Sequence, residues 1–108
     1  MTSHEFDRQA WASLDLFNQM GNIGSEVGRA LSAKRQGKTE RSQAAFYRGM
    51  DLFNATIDAW AAQKRVALPE LLCAREQFAQ SILTDKIDPT LEKYFMQFAV
   101  AARLGQFV

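Results

Sequence analysis

The chain has 108 residues with a formal net charge of +1, and 47% of its residues are hydrophobic against 23% charged. These proportions are typical of one globular domain spanning residues 1–108 and argue against a disordered chain or a strongly basic nucleic-acid binder. Cys73 is the only cysteine, and no apolar run approaches the roughly 20 residues that cross a bilayer. We therefore expect a cytoplasmic protein that does not associate with membranes.

The first predicted helix covers residues 4–36. Thr2 and Glu5 have the spacing of a capping box at its start, and Gly37 closes it. The sequence leaves open whether this helix is continuous or is bent or broken near Gly21. Apolar residues recur along this segment in steps of three and four, which is typical of an amphipathic helix. They are Phe6, Ala10, Leu14, Phe17, Met20, Ile23, Val27 and Leu31.

Three further helices are predicted, joined by short connections. The second begins at Thr39 as its N-cap and ends near Lys64. Pro69 suits the first turn of the third helix and Pro89 that of the fourth, which ends near Gly105. The residues expected to face the core are Phe46, Met50, Phe53, Ile57 and Trp60 in the second helix, Leu72, Arg75, Phe78, Ala79 and Ile82 in the third, and Leu91, Tyr94, Phe95, Phe98 and Ala102 in the fourth. Because short connections make consecutive helices antiparallel, the sequence predicts an all-α, up-down-up-down antiparallel four-helix bundle.

Small residues lie on one flank of each of the first two helices. Gly24 and Gly28 are four residues apart in the first helix, and Ala45 and Gly49 have the same spacing in the second. A glycine costs a helix interior about 1 kcal/mol relative to alanine, so its presence needs a reason. We interpret the four residues as helix-packing positions that let the two helices approach closely. The alternative is a seam between copies of the chain or a ligand cleft.

The residues needed for common catalytic and metal sites are missing or scattered. His4 is the only histidine, so zinc and di-iron ligand sets cannot be assembled and a nucleophile has no histidine base. We interpret Cys73 as a small core residue and the Glu26–Arg29 pair as a solvated pair on the helix surface. The sequence therefore predicts no catalytic residue, no metal and no cofactor, and we expect that the protein is not an enzyme.

Three stretches resemble a family of small, all-helical, uncharacterised prokaryotic proteins. They are Asn-Ile-Gly-Ser-Glu-Val-Gly-Arg-Ala-Leu at 22–31, Ala-Phe-Tyr-Arg-Gly-Met-Asp-Leu-Phe at 45–53 and Leu-Glu-Lys-Tyr-Phe-Met-Gln-Phe-Ala-Val-Ala-Ala-Arg at 91–103. The resemblance implies a compact helical fold and no known activity. The HEPN ribonucleases are also small helical bundles, but their Arg-x4-6-His motif cannot be built because no histidine follows any arginine.

The fourth helix indicates how the protein works. It carries more apolar residues than one core face requires, and successive residues turn by about 100°. We expect the interface residues to be Tyr94, Met96, Val100 and Leu104, with Met96 and Val100 at its centre. The leading hypothesis is a protein that acts through protein–protein contact, as a homodimer or with another protein.

Two alternatives remain open. Lys34, Arg35, Lys38 and Arg41 cluster at the turn between the first two helices and could contact phosphates. This favours a nucleic-acid-associated accessory protein, such as a catalytically inactive HEPN-like protein. The other alternative is a small-molecule pocket lined by Trp60, Phe53 and Phe98.

Overall fold

The computed structural model describes residues 7–86 and 89–105, and all the regular structure in these ranges is α-helical. The prediction of an all-α fold is confirmed. The helices are α1 (Arg8–Ser13), α2 (Leu16–Arg35), α3 (Thr39–Ala62), α4 (Leu68–Leu83) and α5 (Pro89–Gly105). The predicted capping box of Thr2 and Glu5, and His4, lie outside the described residues. None of the described helices is long and apolar enough to span a membrane.

The first predicted helix is in fact two helices. Leu14 is extended, and Asp15 caps α2 by accepting a hydrogen bond from the backbone N–H of Asn18 at 2.7 Å. No break occurs at Gly21, where the sequence left the continuity of the helix open, because α2 runs through it. A carboxylate that satisfies an unpaired N–H favours a new helix start at Asp15, whereas one glycine costs a helix too little to end it.

The other helix ends lie close to their predicted positions. Gly37 closes the turn after α2 with φ of +74°, a conformation that glycine adopts without strain. Thr39 is the first residue of α3 rather than its cap, which is Lys38 without a side-chain hydrogen bond. Pro69 lies in the first turn of α4 and Pro89 begins α5, as predicted.

The antiparallel pair of α2 and α3 forms the centre of the molecule. α5 packs against α2, while α4 and α1 pack against α3. The core between them contains one polar chain that fixes α1: the indole N–H of Trp60 donates to Gln19 at 2.9 Å, and the Gln19 amide donates to the backbone carbonyl of Trp11 at 3.0 Å. Trp11 in turn donates its indole N–H to Thr56 at 2.8 Å. Buried polar groups of this kind are inexpensive only when they are paired.

The core of α4 differs from the prediction by one residue. Leu72 is 39% exposed, whereas Leu71 is fully buried together with Phe78. Arg75, expected inside, donates to the Asn54 side chain at 2.8 Å instead of packing in the core. Leu71, Ala74, Phe78 and Ser81 form the buried face. Within α2, the predicted apolar stripe is buried from Met20 to Leu31. Before this stretch, Ala10 of α1, Leu14 between the helices and Phe17 at the start of α2 are exposed.

Candidate interaction surfaces

The exposed side of α5 carries an apolar stripe. Met96 is 61% exposed, Val100 is 40% exposed and Leu104 is 64% exposed. They are four residues apart and so share one side of the helix. No charged residue occurs between Tyr94 and Ala102, although a solvated helix side usually carries charges. We call Met96, Val100 and Leu104 the α5 face.

Tyr94, predicted to belong to the same interface, lies apart from the α5 face. Its ring packs edge-on against Phe95 and Phe98, with centroids 5.1 and 5.2 Å apart. Its hydroxyl is buried and has no hydrogen-bond partner within the described part of the chain. Burial raises the pKa of Tyr94 to about 12, and the negative charge of Glu70 adds to the rise. Tyr94 is half-buried and lines a cleft with Glu70 and Ala74 of α4, so it lies between α4 and α5 rather than on an exposed surface.

The four small residues do not form the single α2–α3 contact that the sequence predicted. A Cβ on Gly24 would lie 3.3 Å from the Cβ of Phe95, so this glycine accommodates α5. A Cβ on Gly49 would lie 2.8 Å from the ring of Phe78 in α4. Gly28 has nothing within 4 Å of that position, and its prediction as a packing residue is wrong. Gly24 and Gly28 lie on the side of α2 that faces α5 and an open groove beside α3. A Cβ on Gly49 of α3 would also lie 3.5 Å from the Cβ of Glu26 in α2, and Ala45 of α3 is buried.

One buried carboxylate joins α2 to α3. Glu26 accepts from Arg29 in its own helix at 2.8 Å and from the Nε of Arg48 in α3 at 2.6 Å. Its side chain is only 9% exposed. Burial alone would raise the pKa of Glu26, but the hydrogen bonds and charges of Arg48 and Arg29 outweigh it, so the pKa is lowered. Glu26 therefore remains ionised and fixes both arginines.

The predicted basic turn divides between two sides of the molecule. Lys34 donates to the backbone carbonyls of Ser81, Ile82 and Thr84, so it caps the end of α4, where the helix dipole favours a cation. Arg35 forms an ion pair with Glu92 of α5. Only Lys38 and Arg41 of the predicted set lie together elsewhere, so the four residues do not form one surface.

Lys38 and Arg41 belong to a different cluster, which the sequence did not predict. They line a groove of about 720 Å³ between α2 and α3, together with Arg29 and Arg48. The rest of the lining consists of small or polar residues, which are Gly24, Ser25, Gly28, Ser32, Ala33, Gln36, Ala44 and Ala45. We call the surface defined by Arg29, Lys38, Arg41 and Arg48 the basic groove. Gly28 and Ala45 lie in it, so part of the small-residue flank lines a concavity.

The pocket predicted around Trp60, Phe53 and Phe98 would lie in the core rather than at the surface. Trp60 and Phe53 are fully buried in the core, and the indole N–H of Trp60 is already bonded to Gln19. Cys73, expected in the core, is exposed on α4. No group of three histidine, cysteine or acidic residues that could hold a metal occurs in residues 7–86 and 89–105.

Comparison with known proteins provides no functional information. The chain matches no family model, no curated protein and no solved structure. Membership of the family that its motifs resemble therefore stays a prediction, and any function must be argued from the α5 face and the basic groove.

Proposed function

We propose that the protein is non-enzymatic, acts through protein–protein contact and forms a homodimer through the α5 face. The observation that carries this proposal is the exposure of Met96, Val100 and Leu104 on a helix that has no charged residue from Tyr94 to Ala102. Removing such apolar surface from water contributes about 25 cal/mol per Å². Association with a partner that covers the stripe would therefore be favourable, as in other interfaces with an apolar centre.

A second copy of the chain fits the α5 face by symmetry. Two copies of α5 crossing antiparallel near Phe98 would place Met96 against the Val100 of the other copy. The same register brings Arg103 of one copy near both Glu92 and Lys93 of the other, so the apolar centre and not the flanking charge favours this partner. Beside this stripe, Gly21 has open space around it. A neighbouring helix could therefore approach α2 closely there.

Solution mass measurement tests the homodimer. We expect light scattering at micromolar concentration to give twice the chain mass of 12.2 kDa. The double variant Met96→Glu/Val100→Glu should be a monomer, because charges would be buried at the centre of the interface. The matched control is Val66→Glu/Leu83→Glu, which changes two other exposed apolar residues and should remain dimeric. A monomeric wild-type protein, or equal dissociation of both variants, would contradict the proposal.

We propose the up-down-up-down arrangement for α2 to α5, with α1 added to it. Three contacts support this order. Lys34 near the end of α2 reaches the end of α4, so these two helices run in the same direction. Arg35 near the end of α2 pairs with Glu92 near the start of α5, while Gly24 lies against Phe95 further along α5. α5 therefore runs antiparallel to α2.

We also propose a cytoplasmic location.

A nucleic-acid-associated role is the second candidate function. Of its predicted contacts, Lys34 and Arg35 are engaged with α4 and α5. Lys38 and Arg41 are exposed in the basic groove. The basic groove, rather than the turn, is therefore the feature that favours this candidate.

A further inference from the structure

We propose that the basic groove binds a linear chain of phosphate groups, such as polyphosphate or the backbone of a single-stranded nucleic acid. The proposal does not rest on self-association, since the α5 face lies on α5 and the groove lies between α2 and α3. It rests on the charge, the rigidity, the length and the lining of the groove.

The basic groove carries an unbalanced positive charge. Lys38 and Arg41 are exposed and have no ion pair within residues 7–86 and 89–105. Arg29 and Arg48 share the single carboxylate of Glu26. Four cations and one anion leave an excess of three positive charges here, although the whole chain has a net charge of only +1. A cleft lined by one sign of charge attracts ligands of the opposite sign.

Two of the cations in the basic groove are held in place by one buried carboxylate. Glu26 uses its two oxygens separately, accepting from Nη1 of Arg29 and from Nε of Arg48. A guanidinium has five N–H donors, so four remain on each arginine for a ligand. Fixed guanidinium groups match phosphate well because they can donate two parallel hydrogen bonds. The buried carboxylate therefore prepares both arginines for binding.

The cations of the basic groove are spread along its length. Arg41 and Arg48 are seven residues apart in α3, which corresponds to about 10 Å along the helix. Lys38 lies three residues further toward the turn, so the cations contributed by this side of the groove are spread over about 15 Å, which is longer than one phosphate group. The arrangement therefore fits several anionic groups in a row better than a single anion.

The residues that line the basic groove favour phosphates over other anionic ligands. The groove contains no aromatic side chain on which a base could stack and no large apolar residue. Protein partners usually insert apolar or aromatic anchors, and single-stranded nucleic-acid proteins usually stack bases. Ser25, Ser32 and Gln36 instead offer hydroxyl and amide groups. Recognition would then be electrostatic and independent of base sequence.

Fluorescence anisotropy with a labelled single-stranded RNA, competed by long-chain polyphosphate, tests the proposal. Four phosphate contacts predict a slope of about −3 in a plot of log affinity against log salt. Lys38→Glu/Arg41→Glu should weaken binding at least about tenfold and bring the slope to about −1.4. The matched control, Lys64→Glu/Lys93→Glu, makes the same change in net charge outside the groove and should keep the slope. RNA bound in preference to polyphosphate would identify a nucleic-acid backbone, and equal binding would identify any phosphate chain.

A second pair of variants tests the location without changing charge. Gly28→Leu would add bulk to the groove lining at a position where an added Cβ meets nothing within 4 Å, and should weaken RNA binding. Gly21→Leu, equally open but outside the groove, should not. The proposal would be overturned by no binding of either polymer at low salt, by equal loss in both charge variants, or by unchanged binding in Gly28→Leu. Equally tight binding of polyglutamate would also overturn it, in favour of an acidic protein partner.

Discussion

Gly49 of α3 lies in close contact with both α2 and α4. A Cβ there would lie 2.8 Å from the ring of Phe78 and 3.5 Å from the Cβ of Glu26. The Phe78 ring cannot move away easily, because it is fully buried and packs against the rings of Phe46 and Phe53 at 5.1 and 5.8 Å. Because protein interiors are closely packed, one added methyl group at such a position strains the residues around it.

Alanine at two glycines should therefore have opposite effects on stability. Gly49→Ala should lower the free energy of unfolding by about 1–3 kcal/mol, because overpacking exceeds the gain in helix propensity. Gly28→Ala, in open space, should raise it by up to about 1 kcal/mol. Urea denaturation followed by circular dichroism measures both. A loss of stability in Gly28→Ala, or none in Gly49→Ala, would contradict these environments.

The hydroxyl of Tyr94 is a polar group that the fold does not use. It is buried without a hydrogen-bond partner among the described residues, a situation that costs about 1–3 kcal/mol. Tyr94→Phe should therefore unfold at the same or a higher urea concentration, with a gain of about 1 kcal/mol. The control Tyr47→Phe removes an exposed hydroxyl and should change the free energy of unfolding by less than about 0.5 kcal/mol. A clear loss in Tyr94→Phe would indicate that the hydroxyl is bonded.

At the scale of the helices, strong local signals predicted the ends of the elements. Gly37, Pro69 and Pro89 each restrict the backbone in a way that the sequence alone reveals. The break at Asp15 was missed because Leu14 and Leu16 on either side continue an apolar pattern. Asp15 itself, which can accept from a backbone N–H, was the available signal.

The buried face of α4 could have been decided from its spacing to Phe78. Leu71 lies seven residues before Phe78 and so on the same side of the helix, whereas Leu72 lies six residues before it, about 120° away. The prediction placed Leu72 and Phe78 on one face although their spacing does not allow it. On α5 the prediction was more successful, since Leu91 and Phe95 are buried and Met96, Val100 and Leu104 are exposed. An excess of apolar residues is visible in sequence without knowledge of the neighbouring helices.

The basic groove was missed because its residues come from two helices. In the sequence, Arg29 is three residues from Glu26 and Arg48 is three residues from Asp51, which indicates two unrelated surface pairs. The structure instead pairs Arg48 with Glu26 across the helices. A usable signal existed, because an antiparallel turn at Gly37 brings residues near 26 opposite residues near 49.

Over the whole molecule, the two surfaces use different physical forces. The domain measures 40 × 37 × 24 Å, and a flat shape exposes more of each helix than a sphere would. The α5 face is apolar and uncharged, so its association should depend little on salt. The basic groove depends on charge, so its binding should fall steeply with salt. Salt dependence therefore separates the two activities in the intact protein.

Glu26 should make the stability of the whole fold depend on pH, because it links the two central helices. Its pKa is lowered from 4.5 in the folded state, so its stabilisation is complete above pH 4.5 and is lost as the pH falls through the folded value. Glu26→Gln should therefore lower the free energy of unfolding at pH 7 by about 1 kcal/mol, since both arginine partners are largely exposed. The difference from wild type should shrink as the pH falls below 4.5. Glu92→Gln removes an exposed ion pair with Arg35 and should have little effect at either pH. Urea denaturation across this range checks the prediction, and a Glu26→Gln difference that does not change with pH would contradict it.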